Sequence, residues 1–302
     1  MTVKIAVATH KKLNFNLPEY YVPVQVNAKQ IGEWIGYVHD SDGSNISEKN
    51  SSYCELTVLY WLWKNCDANI KGLCHYRRFF SNNPLLTISE LDICTDNSIS
   101  DHILSDKQIE NCLLEYDAIV AKPYRPYPDN EYTDLRRWCY ESDIVTLRKV
   151  LSHKYPEYIE VFDKVMESTN ISHFNMIIAK STLFDQYANW LFDLLSEYEK
   201  SSNIQNYDTQ HKRLYGYVAE ALLNVYLQKN EINVKYAKIV SPSSYINYPS
   251  ERLKLLSIRK RVEQVFMFTK TYRLIEGIYK LLKPEEFAKY AACNEAMKKG
   301  TR

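Results

Sequence analysis

The apolar positions of the chain fall into two kinds of run. Residues 3–8, 71–80, 117–123 and 172–180 are short and nearly continuous in Val, Ile, Leu, Ala and Phe, the pattern of strands buried on both faces. The stretches between them space apolar residues at intervals of three and four. That spacing predicts amphipathic helices at about residues 52–65, 134–151, 156–167 and 183–198, and a long one from just after Gln210 to about Leu227. Ser52 and Glu55 fit a capping box for the first of these, and Ser181 reads as the cap of the fourth. Residues 18–26 read as extended but irregular, and residues 88–94 and 109–116 as short helical pieces. Residues 124–132, rich in proline and tyrosine, read as a loop over a cleft. Alternating strands and helices predict an α/β domain over residues 1–250, a Rossmann-related mixed sheet flanked by helices.

The chemistry gathers where the strand-like runs end. The run at 71–80 passes abruptly into His75, Tyr76, Arg77 and Arg78, then returns to Phe79 and Phe80. Open α/β sheets place ligands at the carboxyl ends of their strands, and two planar guanidiniums there suit phosphate or carboxylate. The competing reading is a surface loop with solvated charges. The first strand runs into Thr9, His10 and Lys11, which is either a nucleotide-binding edge or a solvated turn. The run at 117–123 ends in Lys122, and the run at 172–180 opens on polar side chains that include His173 and Asn175. On the last helix Arg213 and Glu220 are two turns apart and share a face. Glu220, among apolar neighbours, either points into a site or forms a core ion pair. Asp40 and Asp42 form a D-x-D within a turn cluster, a candidate metal pair or ordinary turn formers.

Composition removes several classes. The seven glycines in 302 residues are too widely spaced for a G-x-G-x-x-G fingerprint or a Walker A loop. Seven cysteines with no C-x-x-C predict a reduced, cytoplasmic chain without a zinc ribbon. Met1 leads straight into a strand-like run, so no secretory signal is expected. A net charge of +1 argues against nucleic acid as a partner. That balance hides an asymmetry, because residues 251–302 carry 13 Lys+Arg against 6 Asp+Glu. The tail reads as a basic amphipathic helical extension, suited either to the inner face of a membrane or to covering the catalytic domain or a dimer partner. The 25 tyrosines suit a carbohydrate cleft, since a phenol both stacks and hydrogen-bonds.

Taken together, IAVATHK near the N-terminus, NISEKNSSYCELTVLYWLWKN, GLCHYRRFF, SHFNMIIAK and RLYGYVAEALLNVYL resemble a bacterial family of capsular and exopolysaccharide glycosyltransferases, over about residues 3–230. The family is catalogued largely as a domain of unknown function. The resemblance implies a GT-A-like fold and transfer of a hexose, with galactose or galactofuranose as leading guess. The donor would be a UDP-sugar and the acceptor a lipid-linked glycan. It implies that Thr9, His10 and Lys11 hold the nucleotide, and that His75, Arg77 and Arg78 hold the diphosphate, with Tyr76 in the same nucleotide-sugar site. Asn45, Glu48, Lys49 and Asn50 would bind sugar or diphosphate, with Lys122, His173, Asn175 and Arg213 in the same site. Asp208, in a D-Q-like element, and Glu220 are the candidate bases. Better-known GT-A enzymes place D-x-D where this chain has His75-Tyr76-Arg77-Arg78, so fixed cations are expected to replace a metal. Mn or Mg would enter only through Asp40 and Asp42. The rival from another class is a non-catalytic carbohydrate-binding or scaffold protein of a polysaccharide assembly complex.

Overall fold

In the computed structural model the described residues are 1–83, 91–123 and 130–245. They belong to one structural unit. A second unit, residues 86–89 and 247–302, lies outside them, as does most of the expected loop at 124–132. Seven strands form the main sheet: β1 (Val3–Thr9), β2 (Tyr21–Gln25), β3 (Val38–His39), β4 (Ile70–His75), β7 (Ala118–Ala121), β8 (Ile177–Lys180) and β9 (Val234–Ala237). Their order is β3-β2-β1-β4-β8-β7-β9. Every neighbouring pair is parallel except the two that involve β8. The carboxyl ends of β1, β2, β4 and β7 therefore share one edge with the amino end of β8. A smaller sheet joins β5 (Phe79–Phe80), β10 (Ile239–Pro242) and β6 (Leu91–Cys94).

Strict alternation along the central strands divides the core between the two faces of the main sheet. Ala6, Leu73, Ala118, Val120, Ile177 and Ala179 face one apolar cluster. It is completed by the helices Leu56–Asn65, Glu141–Lys154, Ile159–Glu167, Ser181–Ser201 and Leu214–Lys229. Ile5, Val7, Cys74, Ile119 and Ile178 face the other, against Phe79, Phe80, Val240 and the helix Asp106–Glu115. These strands are covered on both sides, which is why their sequences read as continuous apolar runs. The charged Lys71 in β4 is 2% exposed and reaches Asp185 Oδ1 at 2.8 Å, so its charge is paired at the sheet–helix boundary.

Several local expectations are corrected. The helix foreseen over 52–65 is broken. A 3₁₀ turn at Ser47–Lys49 runs into Asn50–Tyr53, the chain kinks at Cys54 (φ 52°, ψ −130°), and the second helix begins at Leu56. The Ser52–Glu55 capping box is not formed: Ser52 Oγ donates to the Lys49 carbonyl at 3.1 Å. Residues 172–176 are not strand, because Phe174 (φ 79°) and Asn175 (φ 53°) turn sharply before β8. Residues 91–94 pair as a strand rather than a helix, and residues 21–25 form a regular strand. Pairing partners remote in sequence decide both cases, which local propensity does not register.

Gly72 marks the closest packing in β4. A Cβ there would come within 2.7 Å of both Ile178 Cγ1 and Ile5 Cδ1. Gly72→Ala is expected to destabilise the fold by about 1–3 kcal/mol through overpacking. A denaturant titration that shows no loss would contradict this account of the β1–β4–β8 contact.

Candidate active site

The four residues after the β4 core make a tight reversal that carries the chain from one sheet to the other. His75 N–H donates to the Arg78 carbonyl at 3.1 Å, and Arg78 N–H returns to the His75 carbonyl at 3.0 Å. Tyr76 N–H is anchored on Ala8 of β1 and the Arg77 carbonyl on Ser241 Oγ. Phe79 and Phe80 are fully buried and fix the far side of the turn. The side chains of the turn point to two neighbourhoods.

On the β1 side, the rings of His10 and Tyr76 meet edge-on at 4.9 Å. Lys11 Nζ lies 4.5 Å from the Tyr245 ring centre and 5.1 Å from that of Tyr76, while the Arg77 guanidinium is 5.8 Å from Tyr76. This is an exposed cationic rim. Burial, then Lys11 and Arg77, lower the His10 pKa. Thr9 is buried, and its hydroxyl is occupied in shaping the turn by donating to the Lys11 carbonyl at 2.6 Å.

On the β8 side, the Arg78 guanidinium stacks 4.2 Å from the Phe174 ring. His75 Nε2 meets the Phe174 carbonyl at 2.6 Å, and since a carbonyl only accepts, that nitrogen carries the proton. Asn175 is 1% exposed, and its Nδ2 donates both to Glu55 Oε1 at 2.7 Å and to the Gly216 carbonyl at 2.9 Å. Its Oδ1 is buried with no hydrogen-bond partner among the described residues. The Cys54 kink thus delivers Glu55 into this cluster. Arg213 Nε donates to Cys54 Sγ at 3.2 Å from the other side. Three left-handed or otherwise strained residues (Cys54, Phe174, Asn175) meet here, a concentration of backbone strain typical of functional sites.

Glu220 closes the cluster from the helix Leu214–Lys229. Its Oε2 lies 3.3 Å from His173 Nδ1, with both side chains about one-fifth exposed. Burial alone would raise the Glu220 carboxyl. The His173 bond and charge, the Phe174 amide and the Arg78 charge together hold it below its usual value. Burial would lower His173, but Glu220, with Glu131 and Asp134 adding, raises it to about 9. Arg78 is lowered to about 10 by burial and by the like charge of Arg77, against the pull of Glu220 and Glu55. It remains a cation at neutral pH, and an arriving anion would offset the cost of its burial by pairing with it. Burial also lowers the His75 pKa.

Other expected site residues have different occupations. Asn45 laces its own loop by donating to the Ser41 and Gly43 carbonyls, and Asn50 donates to the Cys54 carbonyl and Thr57 Oγ1. Lys49 pairs with Glu199 and lines a cavity of about 320 Å³ with Tyr53, Tyr60, Trp63 and Phe192 on the helical face. Glu48 is exposed. The NISEKN segment therefore builds the scaffold that sets the Cys54 kink. Lys122 follows β7 at the site edge, its amide bonded to the Ala237 carbonyl. Asp208 is exposed and caps a turn, accepting from Gln210 N–H and His211 N–H and pairing with His211 Nδ1 at 2.5 Å. The member of the cluster that the sequence reading missed is Glu55, which resembled a cap and instead accepts from Asn175. The polar, non-periodic stretch before it was the available signal.

The Asp40–Asp42 pair does not suit a metal. Asp40 is fully buried, accepting from Ser47 Oγ at 2.5 Å and Thr57 Oγ1 at 2.6 Å, while Asp42 accepts from His39 N–H at the exposed turn. Glu131, Asp134 and His173 bring potential donor atoms within 4.8 Å of one another. There His173 is held as a cation by Glu220, and Asp134 is bonded to Arg137 at 2.7 Å, so the place of an ion is taken by side-chain charge.

The sequence profile of a family described as a domain of unknown function, DUF4422, matches residues 4–231. The chain belongs to that family. No curated protein matches it. Among solved structures it is similar to the WbbM bifunctional glycosyltransferase in its apo form, at 29% identity and a TM-score of 0.75. The match covers 80% of this chain and 46% of that one, so this DUF4422 chain matches about half the length of its structural relative. The mixed sheet with its single reversed strand is thus GT-A-like.

The His173–Glu220 pair generates a pH prediction. The folded-state pKa of His173 is raised from 6.5 to about 9. Its contribution is therefore complete below pH 6.5 and is lost as pH rises through about 9. The shift corresponds to about 3 kcal/mol. Stability should fall across that window in the parent chain and much less in Glu220→Gln. Equal slopes would show that the pair is not formed.

Proposed function

We propose that this chain is a nucleotide-sugar-dependent glycosyltransferase. It would move a hexose, galactose or galactofuranose, from a UDP-sugar to a lipid-linked saccharide. The observation that carries the reading is Arg78. A permanently charged, planar group is held half-buried against Phe174, at the carboxyl end of β4, beside neutral His75 and the exposed Arg77. Fixed positive charge in that position stabilises the negative charge that develops on a departing diphosphate, with no reorganisation at the moment of reaction. The rim of His10, Lys11 and Tyr76 supports nucleotide binding next to it, and the buried Asn175 Oδ1 is an acceptor suited to a sugar hydroxyl. The glycosyltransferase likeness supports the same class.

In this mechanism Arg78 and Arg77 neutralise the diphosphate, and His75 Nε2–H keeps the Phe174 corner in place. Glu220 is the favoured base for the acceptor hydroxyl. It is ionised, adjoins Arg78 electrostatically and is oriented by His173. Asp208 is the weaker choice, because its oxygens are spent on His211 and Gln210. Transfer without a divalent metal is part of the proposal. The non-catalytic alternative would bind saccharide and release no UDP.

One UDP-release assay across a panel of UDP-sugars tests the reading. Turnover should persist in EDTA. Arg78→Lys should weaken UDP binding about tenfold or more, since an ammonium cannot reproduce a planar fork stacked on a ring. Glu220→Gln should lower kcat by roughly 10²–10⁴-fold with UDP affinity kept. No UDP release from any donor would favour the binding-protein alternative, and loss of activity in EDTA restored by Mn²⁺ would overturn metal independence.

The basic tail from residue 251 is proposed to dock on the cytoplasmic face of a membrane, where lipid-linked acceptors reside. Among the described residues no helix is long and apolar enough to cross a membrane. A chain ending at Tyr248 should keep UDP binding and lose co-sedimentation with anionic vesicles at low salt. If the full chain ignores such vesicles, the docking role is wrong.

A further inference from the structure

Two aromatic side chains between the helices Glu131–Leu135 and Glu141–Lys154 are left exposed although each has a ready ring partner. Trp138 is 38% and Tyr140 is 45% exposed. Trp138 lies nearly parallel to Tyr217, centroids 5.6 Å apart and planes at 29°. Tyr140 lies flat on His211, at 4.4 Å and 8°. The rings behind them are themselves fixed. Arg213 sits 5.3 Å from the Tyr217 centre, and Asp208 holds His211 Nδ1. Tyr207 meets Tyr140 edge-on and donates to Asp143 Oδ1 at 2.8 Å. Two residues apart in sequence, both exposed rings lean on the single segment 207–217.

Flat, rigidly backed rings with polar groups between them match the amphipathic surface of a pyranose, whose C–H face stacks on an aromatic while its hydroxyls need hydrogen-bond partners. Asp208, His211 and Arg213 supply such partners alongside the rings. A protein partner would favour a continuous apolar patch with charge confined to its rim. The location also fits an acceptor. Tyr217 and Glu220 are three residues apart on one helix and so share a face, which brings Tyr217, with Trp138 stacked on it, to the side of the helix that carries the proposed base. We propose that Trp138 and Tyr140 form the platform on which the acceptor saccharide stacks, with the Asp208–His211 pair and Arg213 hydrogen-bonding its hydroxyls. This rests on the glycosyltransferase reading and gives the cluster its second substrate. It also gives Asp208 a role in positioning His211 rather than in taking the proton.

The test uses the full chain labelled with ¹⁵N at its indoles, with methyl β-D-galactopyranoside and lactose as probes. Trp138→Phe identifies the Trp138 indole signal, which should shift saturably, and further with the disaccharide than expected from a single ring. Trp138→Ala and, separately, Tyr140→Ala should weaken lactose binding, read by titration calorimetry, at least tenfold while the rise in melting temperature with UDP stays as in the parent. A preserved UDP response also certifies that each variant is folded. Should the Trp138 signal ignore both sugars while UDP still stabilises the chain, the platform is wrong and the transferase reading stands. Should the sugars bind at Trp138 in a chain that neither binds nor cleaves any UDP-sugar, the acceptor role is overturned along with the transferase reading.

Discussion

The cluster depends on one residue, Phe174. Its carbonyl accepts a hydrogen bond from His75 Nε2–H, its amide supports Glu220, and its ring carries the Arg78 guanidinium. Three elements remote in sequence, the β4 turn, the approach to β8 and the last long helix, are thereby tied at one point. The residue pays with a φ of 79°, a conformation costly for an aromatic side chain unless its surroundings over-determine it. Asn175 extends the clamp by bridging Glu55 and the Gly216 carbonyl from a fully buried position. Gly216 lets the helix approach the kink closely, since a Cβ would sit 3.2 Å from Cys54 Sγ and 3.3 Å from Cys54 Cβ, a tight fit.

Charge is arranged around that clamp in two tiers. The outward tier is cationic, with Lys11, Arg77 and Arg78 along the edge of β1 and β4. The inward tier is anionic, with Glu55 and Glu220 behind it and Glu131 and Asp134 surrounding His173. Glu220 and Glu55 offset part of the loss of hydration of Arg78, and the charges of His173 and Arg78 hold the Glu220 carboxyl ionised despite its burial. The result is a site that presents positive charge to a ligand while holding a carboxylate ionised a few side chains away. Such a division suits a reaction in which one oxygen departs as an anion and another must lose a proton.

The scaffold behind the cluster explains why a polar segment such as NISEKN matters without touching it. The buried Asp40 carboxylate gathers Ser47 and Thr57, Asn50 ties the Cys54 carbonyl, and Lys49 reaches Glu199. These bonds replace the straight helix that periodicity would favour with a kink, and the kink turns Glu55 inward. A buried carboxylate with both oxygens occupied is a structural post, and a D-x-D pattern in sequence cannot be told from one.

What the sequence by itself determined was the layered α/β architecture and the main cationic edge. Apolar runs covered on both faces and amphipathic helices are local patterns, and His75 to Arg78 follow directly from the end of one such run. The motif order also carried the family. Only the tertiary structure decided which polar residues meet. The antiparallel insertion of β8 brings His173, Phe174 and Asn175 to the edge where β1 and β4 end, and this depends on strand order, which no local pattern encodes. It separated Asp208 from Glu220, although both precede or occupy the same helix, because one sits outside its first turn and the other two turns inside. It also turned Glu55 from a helix cap into a member of the cluster, because the kink at Cys54 packs against Gly216 and Arg213, both distant from it in the chain.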